Sequence, residues 1–281
     1  MIESTWSILL ELAPWLLLGM GVAGLLHVVL PAGLVQRQLQ GTGGVAKAVA
    51  LGVPLPLCSC GVIPAGLGLK RDGASDGASV GFLISTPQTG VDSILVSASF
   101  LGWPFALFKV VTAGLTGLLG GWLTQAFGGE RVEPDGGSAG HGASAKGWRE
   151  GVDHAVMILQ SIWAWLVFGI LASAAIQTWV PPSFFQQSLA WGGLATNMAV
   201  LAISLPLYVC ATASVPIAAA LVAGGMPPGA ALIFLMAGPA TNVATMGAVL
   251  RGFGARILGI YLATIILCSI ITKNYIRKSW I

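Results

Sequence analysis

Two thiols stand two residues apart in Leu55-Pro56-Leu57-Cys58-Ser59-Cys60-Gly61. On a helix, side chains at this spacing point about 200° apart, whereas in extended backbone they share one side. Pro54, Pro56 and Pro64 surround the pair and favour the extended case. Two adjacent thiolates suit soft ions such as Cu(I), Zn(II) or trivalent arsenic. Cys210, in the second half of the chain, sits where Cys60 sits in the first, and would add a third sulfur. A buried cysteine can also be a small apolar side chain. That reading is preferred for Cys268, which stands alone near the end of an apolar run.

A second polar cluster follows in Ser85-Thr86-Pro87-Gln88-Thr89-Gly90-Val91-Asp92-Ser93. An acid inside an apolar segment is costly and by default marks function, so Asp92 is a candidate to bind a cation or carry a proton. The plainer alternative is a neutral acid that caps a broken helix. Pro87, Gln88, Thr89 and Gly90 have counterparts in Gly238-Pro239-Ala240-Thr241-Asn242. Thr89, Gln88, Thr241 and Asn242 could offer oxygen ligands or helix caps. Ser59, Pro87 and Pro239 belong to the same breaks, which would line a path. Lys109 stands near the start of an apolar run and is expected to snorkel towards the interface. Gly114, Gly117 and Gly121 contain a G-x-x-x-G, expected to pack helices closely.

The surroundings of these residues are apolar throughout. In 281 residues, 56% are hydrophobic and 8% charged, against about 25% charged in an ordinary soluble domain. Mean hydropathy is +0.86. Between Asp153 and Arg251 there is no Asp, Glu, Lys or Arg. Such a stretch cannot cover a soluble surface. A soluble enzyme, a disordered chain and a nucleic-acid binder are excluded, the last because a net charge of +3 makes no phosphate-binding patch. The expected class is an all-α polytopic membrane protein embedded in a lipid bilayer. The apolar runs are continuous and do not alternate, which argues against a β-barrel. The first run lacks a basic leader and is expected to be retained.

About eight hydrophobic segments are expected, near 6–30, 44–69, 75–98, 102–126, 155–180, 194–223, 229–250 and 255–272. Residues 127–153 are rich in glycine and hold Glu130, Glu133, Asp135, Glu150 and Asp153, which predicts an aqueous linker. It separates residues 1–126 from 154–281, each with about four segments. The halves repeat. At an offset of 150, Leu55-Pro56-Leu57 and Cys60 match Leu205-Pro206-Leu207 and Cys210. At an offset of 152, Pro64, Gly73, Gly77, Pro87 and Thr89 match Pro216, Gly225, Gly229, Pro239 and Thr241. Proline removes a backbone bond, and interrupted segments at matching places in two halves point to a transport site.

If all eight segments span, Lys70, Arg71, Arg131, Lys146, Arg149, Lys273, Arg277 and Lys278 face one side, and Arg37, Lys47, Arg251 and Arg256 the other. If the segments around Cys60 and Cys210 are re-entrant, only Lys273, Arg277 and Lys278 stand apart from the remaining loop bases. The second division is the more uneven. It favours inverted repeats with proline-broken or re-entrant helices.

The motifs Leu55-Pro56-Leu57-Cys58-Ser59-Cys60-Gly61-Val62-Ile63-Pro64, Ser85 to Ser93 and Leu101-Gly102-Trp103-Pro104-Phe105 resemble the ArsP-like predicted permeases over nearly the whole chain. Within that family the Cys-Ser-Cys motif is most similar to the branch described as copper/zinc efflux transporters; other branches are linked to arsenicals. The resemblance implies a multi-pass permease of the bacterial inner membrane that exports a thiophilic ion, with Cys58 and Cys60 as substrate contacts. No enzymatic activity and no resident cofactor are expected; the metal or metalloid is cargo. No ATP-binding P-loop occurs, so export needs an ion gradient or a partner ATPase. Asp92 is the expected coupling acid. Two other readings stay open: a membrane thiol-disulfide oxidoreductase using Cys58 and Cys60, and a non-catalytic subunit of a membrane complex. The sequence leaves homo-oligomerisation undecided.

Overall fold

The computed structural model describes residues 37–55, 57, 59–128, 160, 214–215, 218–219, 222 and 228–279. The segment expected near 6–30, nearly all of 155–180, most of 194–223 and nearly all of the linker lie outside them. The described residues form helices α1 (Gly41–Gly52), α2 (Ser59–Arg71), α3 (Asp76–Thr89), α4 (Val91–Leu101), α5 (Trp103–Phe127), α6 (Pro228–Ala240), α7 (Val243–Phe253) and α8 (Ala255–Ser279). No strand occurs among them.

Local chemistry sets the ends. Ser75 caps α3, its hydroxyl oxygen accepting the Ala78 N–H at 3.2 Å. Asn242 caps α7 in the same way, accepting the Thr245 N–H at 2.8 Å. Gly102 separates α4 from α5 at φ 87°, and Gly254 separates α7 from α8 at φ 89°. Only glycine adopts that backbone without strain. Pro104 fits the first turn of α5, where its missing N–H costs nothing.

Three of the expected segments are broken, as their prolines predicted. The run 44–69 splits between α1 and α2, the run 75–98 splits at Gly90, and the run 229–250 splits at residues 241–242. Pro87 and Pro239 lie inside α3 and α6. The chain therefore leaves the helix two or three residues beyond each proline. Each ring removes one N–H but does not itself end the helix. The ends of α4 and α5, shifted by 152, coincide with those of α7 and α8.

The two broken helices occupy the centre. Gly77 to Thr89 of α3 are all buried, as are the described side chains of α6. Such helices, buried all round, show no apolar stripe. α3 packs against α1, α2, α5 and α6; α6 packs against α3, α5 and α8. α5 touches α6 as α8 touches α3. Irregular backbone at α3–α4 and α6–α7 is thus wrapped in protein, the condition for its survival in a bilayer.

Among the described residues, two helices are long and apolar enough to cross a membrane, α5 and residues 255–272 of α8. The pair Gly229–Ala240 and Val243–Phe253, bent by 52°, meets the same criterion jointly. On α5, Trp103, Leu107, Val111, Leu115, Leu119, Leu123 and Phe127 are exposed at intervals of four. Such an exposed apolar stripe suits contact with lipid.

The expected glycine packing occurs at Gly117 and Gly121, not at Gly114. A Cβ at Gly121 would lie 2.7 Å from the Gly77 carbonyl oxygen, and one at Gly117 would lie 3.0 Å from that of Gly81. Two helices therefore meet backbone to backbone where α3 crosses α5. A Cβ at Gly114 meets nothing within 4 Å.

Lys70, at the end of α2, ties that helix to α3 and α7. Its ammonium pairs with Asp76 of α3 at 3.1 Å and donates to the Gly252 carbonyl of α7 at 3.0 Å. It also lies 4.5 Å from the Phe253 ring centroid. Lys70→Met should cost about 2 kcal/mol, because the Asp76 carboxylate loses its partner in a mostly buried place. Thermal aggregation of detergent-solubilised protein should begin several degrees lower. An unchanged profile would show the contact to be idle.

Candidate helix-break site

The breaks after α3 and α6 are built alike. Thr89 ends α3, and its hydroxyl donates to the Ser85 carbonyl at 3.0 Å. Thr241, 152 residues on, donates to the Ala237 carbonyl at 2.6 Å. In α3 the hydroxyls of Ser85 and Thr86 also turn back, onto Gly81 and Phe82. Such back-bonding weakens and bends helices. Pro87 lacks the N–H that would bond to Leu83, and Pro239 the one that would bond to Leu235. Together these groups end a helix inside the protein.

Polar atoms are left over at the same two places. Gln88 is fully buried, and both its amide nitrogen and its amide oxygen lack a protein partner. Asn242 is fully buried too; its oxygen caps α7, but its Nδ2 lacks a partner. Unpaired buried amides are rare and costly, about 1–3 kcal/mol each, and call for an explanation.

Of the candidate residues, Pro87, Gln88, Thr89, Gly90, Pro239, Thr241 and Asn242 lie at these two breaks. Asp92 falls in the first turn of α4. Ser59 and Cys60 open α2. The backbone at Cys60 is therefore helical, not extended as the surrounding prolines suggested. The prolines before Cys58 leave the backbone free to turn into a helix at Ser59, and Pro64 is carried inside α2. Pro64 has no N–H for the Cys60 carbonyl. Cys58 and Cys210 fall outside the described residues. Among the described residues, no three His, Cys, Asp or Glu side chains gather into a metal-holding group.

Lys109 overturns its expected role. It does not snorkel to the interface but is fully buried, its ammonium donating to Ser93 Oγ at 2.5 Å and to Ser97 Oγ at 3.3 Å. α5 turns this side of itself towards α4, so the protein and not the membrane surface surrounds the charge. The offset of 152 pairs Lys109 with Tyr261, also fully buried, whose hydroxyl donates to the Ala240 carbonyl at 2.7 Å. Both long helices thus place a polar side chain against a break. The spacing of Ser93 and Ser97, one helical turn apart and both facing inward, was the available signal.

Residues 1–277 match the predicted permease family denoted ArsP_1. The chain belongs to that family. Among curated relatives of this permease, "Putative permease Rv2963" of Mycobacterium tuberculosis is 26% identical over 77% of this chain and 61% of its own length. The chain thus spans less than two thirds of that relative. The "UPF0718 protein YraQ" of Escherichia coli is 24% identical over 90% of this chain and 74% of its own. The "Putative two-component membrane permease complex subunit" of Streptococcus mutans is 23% identical over 90% and 86%. No solved structure matches. The family and the apolar helices make this a membrane permease.

A permease has a use for buried unpaired amides. Gln88→Met removes both from α3 at nearly constant volume, so folding should be unchanged or firmer. Transport should fall more than about tenfold if Gln88 touches cargo. The check is uptake by proteoliposomes beside the thermal aggregation midpoint; full uptake would assign Gln88 a purely structural place.

Proposed function

We propose that the protein is a multi-pass secondary exporter of a thiophilic metal or metalloid, Cu(I), Zn(II) or a trivalent arsenical, in the bacterial inner membrane. The observation that carries this is the pair of matched helix breaks, each with buried amide atoms lacking a partner, both of them at Gln88 and Nδ2 at Asn242. Broken helices at matching places in two halves are the common build of a secondary transport site. In this reading the chain has two inverted repeats, residues 1–126 and 154–281, joined by an aqueous linker at 127–153. The shared helix ends at an offset of 152 support it.

Cargo binds at Cys58 and Cys60, with Cys210 as a third sulfur. Cys60 lies in the first turn of α2, where free backbone N–H groups favour a thiolate. Ser59, Pro87, Gln88, Thr89, Gly90, Pro239, Thr241 and Asn242 line the path. Asp92, in the first turn of α4, couples transport to protons. Purified protein in liposomes should accumulate Zn(II), Cu(I) or arsenite when a pH gradient is imposed. Cells lacking it should retain more of the same ion. Vesicles that accumulate none of the three would overturn the reading.

The Streptococcus relative's name favours a second arrangement, in which the chain acts as one subunit of a two-component permease. Transport by the purified chain alone would exclude it.

A further inference from the structure

We infer that Lys109 is a second proton-carrying group, whose proton the incoming cation displaces. The inference rests on the export reading and names its coupling chemistry. Lys109 is one of the largest fully buried side chains, and it sits six residues into a membrane-crossing helix. Its described partners are two neutral hydroxyls, Ser93 and Ser97. The Ser97 hydroxyl is itself committed to the Ser93 carbonyl at 2.6 Å. Hydroxyl oxygens can accept from an ammonium and from a neutral amine alike, so the cluster tolerates loss of the proton. Ser93 lies three residues beyond Gly90, which puts the charge within one helical turn of the break.

Charges in such an interior are weakly screened. A cation entering at the α3–α4 break meets the Lys109 ammonium as a like charge. Transfer of one proton from the ammonium to bulk water leaves a neutral amine and relieves the conflict without electron transfer. Its return after the cargo leaves completes an exchange of one proton against one cation at this residue. The second half shows the contrast. There Tyr261 takes the equivalent place and bonds the Ala240 carbonyl, so that break is held by a neutral group.

α5 packs against α1, α3, α4, α6 and α8. α6 brings no titratable side chain. α1 brings Lys47, which is exposed, and α3 brings Asp76, which is paired with Lys70. α4 brings Asp92, adjacent in sequence to Ser93. α8 brings Arg256, Tyr261 and Cys268, and beyond Thr272 Lys273, Tyr275, Arg277 and Lys278. Asp92 is therefore the neighbour to control for, and it is left intact in every variant below.

The test counts protons. Zn(II) is added to the purified full chain in weak buffer with a pH dye, and uptake of labelled Zn(II) is followed in proteoliposomes. Wild type should release one more proton per ion than K109M or K109R. Both variants should lose stimulation by a pH gradient while keeping exchange of labelled for unlabelled Zn(II). Retained exchange also shows that they fold. K109R keeps its charge permanently and should bind Zn(II) at least about fivefold more weakly than wild type, whereas K109M should bind more tightly. A merely structural lysine would not split the two variants in opposite directions. K109Q serves if K109M does not fold. Equal proton release and undiminished pH stimulation in the variants would overturn the inference alone. Wild type that moves none of Zn(II), Cu(I) or arsenite would overturn the export reading and this inference with it.

Discussion

Replacing Cys58 and Cys60 together by serine is expected to abolish transport, at least about a hundredfold, while leaving the protein folded. The substitution keeps size nearly constant and exchanges sulfur for oxygen. A thiolate binds Zn(II) at about 2.3 Å and is the preferred ligand of Cu(I). A serine hydroxyl stays protonated at neutral pH and offers such ions little. Backbone hydrogen bonds of α2 do not depend on the sulfur. Single variants should lose less, because Cys210 and the remaining thiol would still hold cargo. The measurement is metal uptake in liposomes with wild type and all three variants, beside rescue of metal tolerance in a deletion strain. Full rescue by the double variant would end the thiol-site idea. It would leave the breaks at Gln88 and Asn242 as the site of a different cargo.

Gly117→Leu should do the opposite, removing the folded protein altogether. A Cβ there would stand 2.8 Å from the Ser85 Cβ and 3.0 Å from the Gly81 carbonyl oxygen. Neither neighbour can swing aside, since one is backbone and the other is fixed at the base of a side chain. Separating α3 from α5 would also unseat α1, which packs against both. Overpacking costs about 1–3 kcal/mol even where a core can adjust. This one opposes helix to helix, so the loss should be larger. Gly114→Leu is the internal control, because its Cβ meets open space. Expression as a monodisperse peak in detergent should be lost for the first and kept for the second. Equal yields would mean that α3 and α5 are not in contact in the membrane.

The contrast between Gly114 and Gly117 shows what the sequence could and could not convey. The G-x-x-x-G was visible in the letters, but which face of α5 it served was fixed only once α3 was in place. The helix breaks were legible, because proline, threonine and glycine carry their conformational bias locally. Their exact places were not. The α3 helix runs on past Pro87 to Thr89, where back-bonding by Ser85, Thr86 and Thr89 adds to the missing Pro87 N–H, a result of several weak local effects together. Lys109 was misread for a related reason. A lysine near a helix end reaches the interface by default, and only the placement of Ser93 and Ser97 against it reverses that outcome. The offset of 152 was legible in the letters. That Lys109 and Tyr261, so offset, carry different chemistry against α4 and α6 needed the helices side by side.

The apolar stripe on α5 has a consequence of its own. Trp103 and Trp122 are both exposed and stand 19 residues apart, which on a helix is about 28 Å. That is close to the roughly 30 Å of a typical hydrocarbon layer, and tryptophan favours its edges. The helix is thus a gauge of bilayer thickness. In a thinner membrane it must tilt, and in a thicker one it must stand upright or draw the lipids in. Its inward side carries Lys109 against α4, so a tilt of α5 relative to α4 shears the lysine past Ser93 and Ser97. Acyl-chain length becomes a tuning variable for the permease, one that a cell sets through its lipid synthesis and that an experimenter can vary without touching a residue.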